Sequence, residues 1–337
     1  MTLIDEFMEA FGVWEAARPY LHMIVDEAEM RLVVGMNGGS VTVEEAAGLL
    51  GLGPDETADL LARGYARHVL NRVTENGVVR YAPSDFYERL DHFAKYENWD
   101  DIPEADRKAI DRRFLDAFIE RHRPSVERKM QGLAAKNALP NDTIMLLSEV
   151  MEMIDSATDI IVQPCDCRRL AQNCERPVET CIWLDEGARQ ALDRGFGRRL
   201  TKDEAKKLIR QADRKGLMHT ADSAWRERGL HAICNCCACD CYPFRAAQEL
   251  GSKGVWPKSR YIAVYDREQC AFCGSCVRRC HFGAFTHDAT LIEVAPGHLN
   301  PGVQFDPEKC WGCGLCVNTC GARAITMRPL GEGDSAV

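Results

Sequence analysis

Seventeen of the 337 residues are cysteine, and none precedes Cys165. Four fall between Cys165 and Cys181, five between Cys234 and Cys241, four between Cys270 and Cys280, and four between Cys310 and Cys320. Neighbours one to three residues apart are too close for most disulfide geometries. A secreted disulfide scaffold spreads its cysteines so as to staple distant loops. Clusters this dense, in a chain whose N-terminal MTLIDEFMEAFG has neither the basic nor the apolar region of a signal peptide, point to metal binding in the cytoplasm.

The last eight cysteines are the most specific. YIAVYDREQCAFCGSCVRRC and GVQFDPEKCWGCGLCVNTC align without gaps, each with a strand, an Asp, a polar turn and then C-x2-C-x2-C-x3-C. A cubane iron–sulfur cluster needs four thiolates converging on four iron corners. A C-x2-C-x2-C loop wraps three of them, and Gly274 and Gly314 permit the tight bend and leave N–H groups facing the cluster. The fourth cysteine of each copy is expected to begin the following helix and point away, so it must serve the other cluster and the two copies exchange their fourth ligands. Structural zinc loops rarely use three evenly spaced cysteines plus a fourth. Haem attachment fails because Cys276 to His281 reads C-x3-C-H.

Over roughly Arg260–Met327 the chain resembles the bacterial dicluster ferredoxins. That resemblance implies two [4Fe–4S] clusters, one on Cys270, Cys273, Cys276 and Cys320, the other on Cys310, Cys313, Cys316 and Cys280. It also implies a βαββαβ-like domain that moves one electron at a time between partner enzymes. Two departures stand out. His281 and Gly321 replace the proline that usually follows the fourth cysteine, which places a backbone N–H, and at one cluster an imidazole, where they would alter the potential. The connection between Cys280 and Cys310 is also longer, enough for an extra hairpin.

The central cysteines are Cys165, Cys167, Cys174 and Cys181, then Cys234, Cys236, Cys237, Cys239 and Cys241. Nine thiols flanked by Asp and Arg are not a hydrophobic core. Three readings stand: one or two further iron–sulfur clusters, structural zinc, or a redox-active thiol site, since the count is odd and Cys236 and Cys237 are adjacent. Arg168 and Arg169 either offset thiolate charge or form ordinary salt bridges. The run C-x-C-R, a later Cys, E-x-C and ICNCC resembles multi-cluster ferredoxin-type proteins of anaerobic bacteria and archaea, which implies that the middle and C-terminal parts work together.

The elements that must position these thiols can be read from periodicity and caps. Residues 1–34 have apolar residues at helical spacing, with Pro19 starting a second helix. Thr42 and Glu45 form a capping box, a further helix covers Asp55–Ala66, and Asn76-Gly77 turns a hairpin, so Thr42–Tyr87 looks like a winged helix. Residues 103–156 read as helical, punctuated by Pro124 and Pro140, with Asn141 or Asp142 capping a helix through Met145. DIIVQP reads as a buried strand, and Thr201 with Glu204 starts a helix that ends near Lys215. The expected class is α+β: a helical, winged-helix-containing domain over 1–100, a helical Cys-rich domain over 101–258, a dicluster ferredoxin domain over 259–330, and a disordered tail over 331–337.

Charge narrows the partners. Residues 1–100 carry 8 Lys and Arg against 18 Asp and Glu, a net of −10 in a chain of net −9. DNA binding needs Lys and Arg to displace counterions, and the candidate recognition helix instead presents Asp55, Glu56 and Asp59. The winged helix therefore reads as a protein-docking module, with an iron–sulfur DNA-binding regulator as an alternative. Lys202, Lys206, Lys207, Arg210, Arg214 and Lys215, with Arg198 and Arg199, form either a solvated helix face or a dock for a flavoprotein, a ferredoxin or a second copy of the chain. Trp225, Trp256 and Trp311 lie near the cysteine segments, where apolar cover is their expected role. No Walker, dinucleotide-binding, H-E-x-x-H or G-x-S-x-G motif occurs, and no apolar run reaches the ~20 residues of a membrane span. The expectation is an electron-transfer component of an anaerobic oxidoreductase system, serving a partner oxidoreductase. An enzyme reducing a disulfide or another small substrate at the central site is the alternative, and no catalytic residue is assigned.

Overall fold

The computed structural model of the chain describes residues 2–331, so the expected tail lies, Gly331 apart, outside the described residues. Helix accounts for 47% and strand for 21%, an α+β composition. The chain forms two compact units. One runs to Ala117 and includes Arg169–Ala171, and the other comprises Phe118–Arg168 and the chain from Gln172 onward.

In the first unit, Thr2 and Asp5 form the capping box of helix Leu3–Phe11, and Gly12 ends it in the left-handed conformation. The chain then makes a 3-10 turn, Glu15–Tyr20, and a short helix, Leu21–Ile24, before Asp26 caps a new helix, Glu27–Met36. The apolar periodicity over 1–34 had hidden these breaks, which the local caps dictate. Thr42 and Glu45 cap helix Val43–Leu50 as expected, and Pro54 occupies the first turn of Pro54–Ala66. Strands β1 (Leu70–Glu75) and β2 (Val78–Pro83) pair antiparallel. Asn76 and Gly77 between them both have positive φ, as a tight hairpin turn requires. Val41 bridges to Tyr81 beside this hairpin. Helix Phe86–Tyr96 buries Arg89, whose guanidinium bonds the Ile24 carbonyl and Glu97. Helix Glu104–Met130 runs through Pro124, contrary to the expected punctuation. Pro124 has no N–H to donate along the helix, and its exposed position lets the helix pass through it without burying the interruption.

The second unit is built on a six-stranded sheet, of which the sequence reading foresaw the buried DIIVQP strand alone and otherwise treated the region as helical. Its strands are β3 (Thr143–Met145), β4 (Ile160–Pro164), β5 (Glu179–Leu184), β6 (Arg198–Arg199), β7 (Met218–Ala221) and β8 (Ala232–Cys236), in the order β3-β7-β8-β5-β4-β6. Every pairing is antiparallel. Thr143–Met145 was expected in a helix. It is instead a fully buried edge strand, and the helix starts at Leu147, with Glu149 bonding the Leu146 N–H. Helices Leu147–Ser156 and Lys202–Arg214 bury Val150, Met153, Ile154, Ala205 and Ile209 against Ile182, Leu184 and Ile233 of the sheet. Thr201 and Glu204 cap the latter helix and Gly216 follows it at φ 79°.

From residue 261 the order is strand, helix, two strands, helix, strand. Strand β9 (Tyr261–Tyr265) pairs antiparallel with β12 (Ile325–Pro329), and β10 (Phe285–Ala295) pairs with β11 (His298–Phe305) as the hairpin expected between Cys280 and Cys310. Two short helices, Ser275–Arg279 and Leu315–Thr319, follow the cysteine loops. Asp213, 4% exposed, ties both to helix Lys202–Arg214: its carboxylate takes Arg279 at 3.2 Å and the Asn318 amide at 2.7 Å.

Candidate metal centres

The two repeats build two thiol sites. Cys270, Cys273, Cys276 and Cys320 line one cavity, walled by Tyr265, Val303 and Ile325. The fourth cysteines do not begin a helix as expected but end one: Cys280 caps the C-terminus of Ser275–Arg279 and Cys320 that of Leu315–Thr319, so the chain crosses over to bring Cys320 there. Cys313 and Cys316 lie within electrostatic reach of both Cys310 and Cys280, the last cysteine of the first repeat. Burial pushes the Cys276 thiol up to about 11 and Cys313 up to about 12, with neighbouring thiols adding to both. Thiols so placed favour bonding to a cation over standing free as thiolates.

Both loops use the same backbone device. Gly274 and Gly314 have φ of 66° and 77°, and the residues two before them are also left-handed, Phe272 at 49° and Gly312 at 69°. These turns aim amides at sulfur: Phe272 N–H to Cys270 at 3.3 Å, Gly312 N–H to Cys310 at 3.4 Å, and Ala284 N–H to Cys280 at 3.2 Å. N–H···S bonds of this kind stabilise thiolate ligands and set cluster potentials. A Cβ on Gly312 would run into the Tyr261 carbonyl, whereas one on Gly274 would meet first the His287 ring. Gly312→Ala is therefore expected to cost the protein about four iron atoms, one cubane's worth. Gly274→Ala should cost less, and iron analysis of both variants checks this.

His281, expected beside a cluster, turns its Nε2 to the Gly216 carbonyl at 2.6 Å. The donor that reaches the Cys280 sulfur is the Ala284 N–H.

The central cysteines separate into a group of six and a group of three. Strands β4, β5 and β8 lie side by side. Register sets Ile182 opposite Ile233, so Cys181 and Cys234 are cross-strand neighbours. Cys165 and Cys241 stand at the N-caps of helices Asp166–Ala171 and Tyr242–Leu250. Thiol hydrogen bonds link Cys165 to Cys167 and Cys181, Cys181 to Cys234, Cys167 to Cys241, and Cys241 to Cys236. Burial opposes ionisation of Cys241, yet bonds from Cys167, Cys236 and the Phe244 N–H bring it down to about 5. The Cys165 thiol is likewise held low by Cys167 and Cys181. The remaining three, Cys174, Cys237 and Cys239, gather with Asp240 at a separate point.

Arg168 serves both groups. It is 2% exposed, donates to the Asn235 carbonyl at 2.8 Å and to the Thr180 hydroxyl, and its nearest ionisable neighbours include Cys165, Cys181 and Cys237. Arg169 instead binds the Ala94 carbonyl and Asp100. Of the basic stretch, Lys202 and Lys206 are taken up by Asp155. Trp311 packs between Phe244 and Phe282 in one apolar cluster with Cys236, Cys241 and Cys313. Trp225 belongs to the sheet core and Trp256 packs on Phe118, so apolar cover of thiols falls to Trp311 alone of the three. Asp240 and Arg176 are site residues that sequence reasoning passed over; their signals were the runs Cys237-Ala238-Cys239-Asp240 and Cys174-Glu175-Arg176.

Residues 303–326 match the family described as the 4Fe-4S binding domain. The match contains Cys310, Cys313, Cys316 and Cys320 and indicates at least one 4Fe–4S cluster and an iron–sulfur electron-transfer role. No curated protein and no solved structure matches the chain. Among the described residues, no helix is long and apolar enough to cross a membrane.

Proposed function

We propose that this protein relays single electrons between a low-potential donor and a partner oxidoreductase, of the kind found in anaerobic metabolism, through two [4Fe–4S] clusters and a third on the six-thiol pocket. Cys270, Cys273, Cys276 and Cys320 would hold the first, and Cys310, Cys313, Cys316 and Cys280 the second. The observation that carries this reading is the delivery of Cys320 to the cavity of the other repeat's loop. When bound, such clusters supply a one-electron couple. The chain's own residues supply thiolates, N–H donors to sulfur and an apolar jacket that excludes water. Cys273 is exposed, which gives a partner access at one end. At the other end, Trp311, Phe244 and Phe282 join Cys313 to Cys236 and Cys241, so the inner repeat abuts the six-thiol pocket.

The helix–helix–hairpin segment of the first unit, with Val41 bridged to Tyr81, supports the winged-helix reading. Its Asp55, Glu56 and Asp59 are exposed, which favours a protein partner over nucleic acid. Six thiols exceed by two the four that a cubane takes, and this surplus favours a second reading in which the pocket reduces a disulfide or another small substrate. Iron and sulfide analysis of protein purified without air tests the main proposal. About twelve of each per chain are expected, and a value of about eight would confine the clusters to the repeats. Colourless protein would end the electron-transfer reading.

A further inference from the structure

Cys174, Cys237, Cys239 and Asp240 make a four-donor group distinct from the six-thiol pocket. Their ligand atoms all lie within 4.8 Å of one another. Cys174 and Cys237 Sγ are 3.9 Å apart, and Asp240 Oδ2 lies 2.7 Å from Cys174 Sγ and 3.5 Å from Cys237 Sγ. A cubane carries one thiolate on each outward corner of an eight-atom core, and four donors that all lie this close to one another cannot embrace it, whereas the six thiols of the pocket meet pairwise along a chain from Cys234 to Cys236. A single tetrahedral ion with metal–sulfur bonds of ~2.3 Å sets its sulfurs ~3.8 Å apart, which is the spacing found.

The carboxylate is aimed. Asp240 is fully buried. The Asn173 N–H holds its Oδ1 at 2.7 Å, and the Asn173 amide bonds the Cys239 carbonyl at 3.0 Å, so Oδ2 is left facing the sulfurs. Gln172, at φ 48°, turns the chain out of helix Asp166–Ala171 just before Asn173 and Cys174. A buried carboxylate against three thiols is costly unless a cation joins them. Arg176 Nη1 lies 3.4 Å from Cys239 Sγ, and Arg168 Nη1 4.0 Å from Cys237 Sγ. Three thiolates and a carboxylate carry four negative charges, which a divalent ion and these two guanidiniums balance.

We propose that Cys174, Cys237, Cys239 and Asp240 bind one zinc ion, separate from the iron–sulfur clusters. Thiolate-rich tetrahedral sites suit zinc, and an oxygen ligand is compatible with it. The site ties the loop after Ala171 to the turn between β8 and helix Tyr242–Leu250.

The test uses full-length protein purified without air. Metal analysis is expected to find about one zinc per chain beside the cluster iron, and X-ray absorption at the zinc edge should show three sulfur neighbours at ~2.3 Å and one oxygen. Losing a supporting contact to a ligand lowers affinity ~10–100-fold, so losing a ligand should do at least as much. Cys174→Ser and Asp240→Ala should therefore each lower zinc at least about tenfold while iron and sulfide stay constant. The absorption measurement needs no variant, so a variant that fails to fold does not spare the proposal. Absence of zinc, a four-sulfur shell, or loss of iron with sulfide in Cys174→Ser would overturn it.

Discussion

Cys320→Ala is expected to remove about four iron and four sulfide from the protein and to abolish the signal of the cluster held by Cys270, Cys273 and Cys276, leaving its sequence neighbours on Cys310–Cys316 loaded. The geometry makes this counterintuitive result a sharp one. Cys320 lies four residues from Cys316 in sequence, yet it shares its cavity with Cys270, Cys273 and Cys276. Cys280 sits in the mirror position, within reach of Cys313 and Cys316, which Cys310 also adjoins. Cys280→Ala should therefore produce the complementary loss. Electron paramagnetic resonance of the two reduced variants against wild type distinguishes the assignments. If Cys320→Ala instead extinguishes the signal that Cys313→Ala removes, each repeat holds its own cluster and the crossed arrangement is wrong.

The parts legible in the sequence are those where local chemistry fixes the answer. Thr42 with Glu45 and Thr201 with Glu204 formed their capping boxes because a side-chain oxygen, three residues from a Glu, satisfies donors that nothing else nearby can reach. Asn76-Gly77 turned its hairpin because both positions need positive φ. The repeated cysteine loops announced their own bend through Gly274 and Gly314. What escaped was settled by tertiary packing. Strands β3, β7 and β8 are three to five residues long, and the first two are buried throughout, so no alternation of apolar and polar residues marked them. For the same reason the nine central thiols could be counted but not sorted. Only the sheet register, which sets Cys181 across from Cys234, separates the six from the three. Asp240 looked like any acidic residue in a cysteine-rich run until the fold buried it with one oxygen on Asn173 and the other toward sulfur.

Arg168→Met should have the other large effect, because Arg168 is a buried cation set among thiols. Its guanidinium holds β8 through the Asn235 carbonyl and β5 through Thr180, and it lies 4.0 Å from Cys237 Sγ. Cys165, Cys181 and Cys236 are also among the groups whose negative charge stabilises its protonated form. Removing one member of a buried charge group leaves the rest uncompensated at a cost of about 3–5 kcal/mol. The protein has two ways to relieve that cost. It can unfold more readily, which chemical denaturation of the variant would show, or it can shift the redox balance of the pocket. A missing positive charge favours the more oxidised, less negative cluster, so the midpoint potential of the central signal should fall. The expected drop is at least ~60 mV, the one-electron equivalent of a tenfold change in equilibrium constant. Arg168→Lys separates charge from geometry. A lysine keeps the cation but not the planar fork that serves the Asn235 carbonyl and Thr180 together, so it should restore most of the potential and less of the stability. The clusters of the repeats are the internal control, since Arg168 is not among the groups that perturb their cysteines Cys276, Cys313 and Cys316 most. A redox titration of Arg168→Met in which the central signal keeps its potential would mean that this guanidinium does not face a cluster, and the six-thiol pocket would lose its place in the electron path.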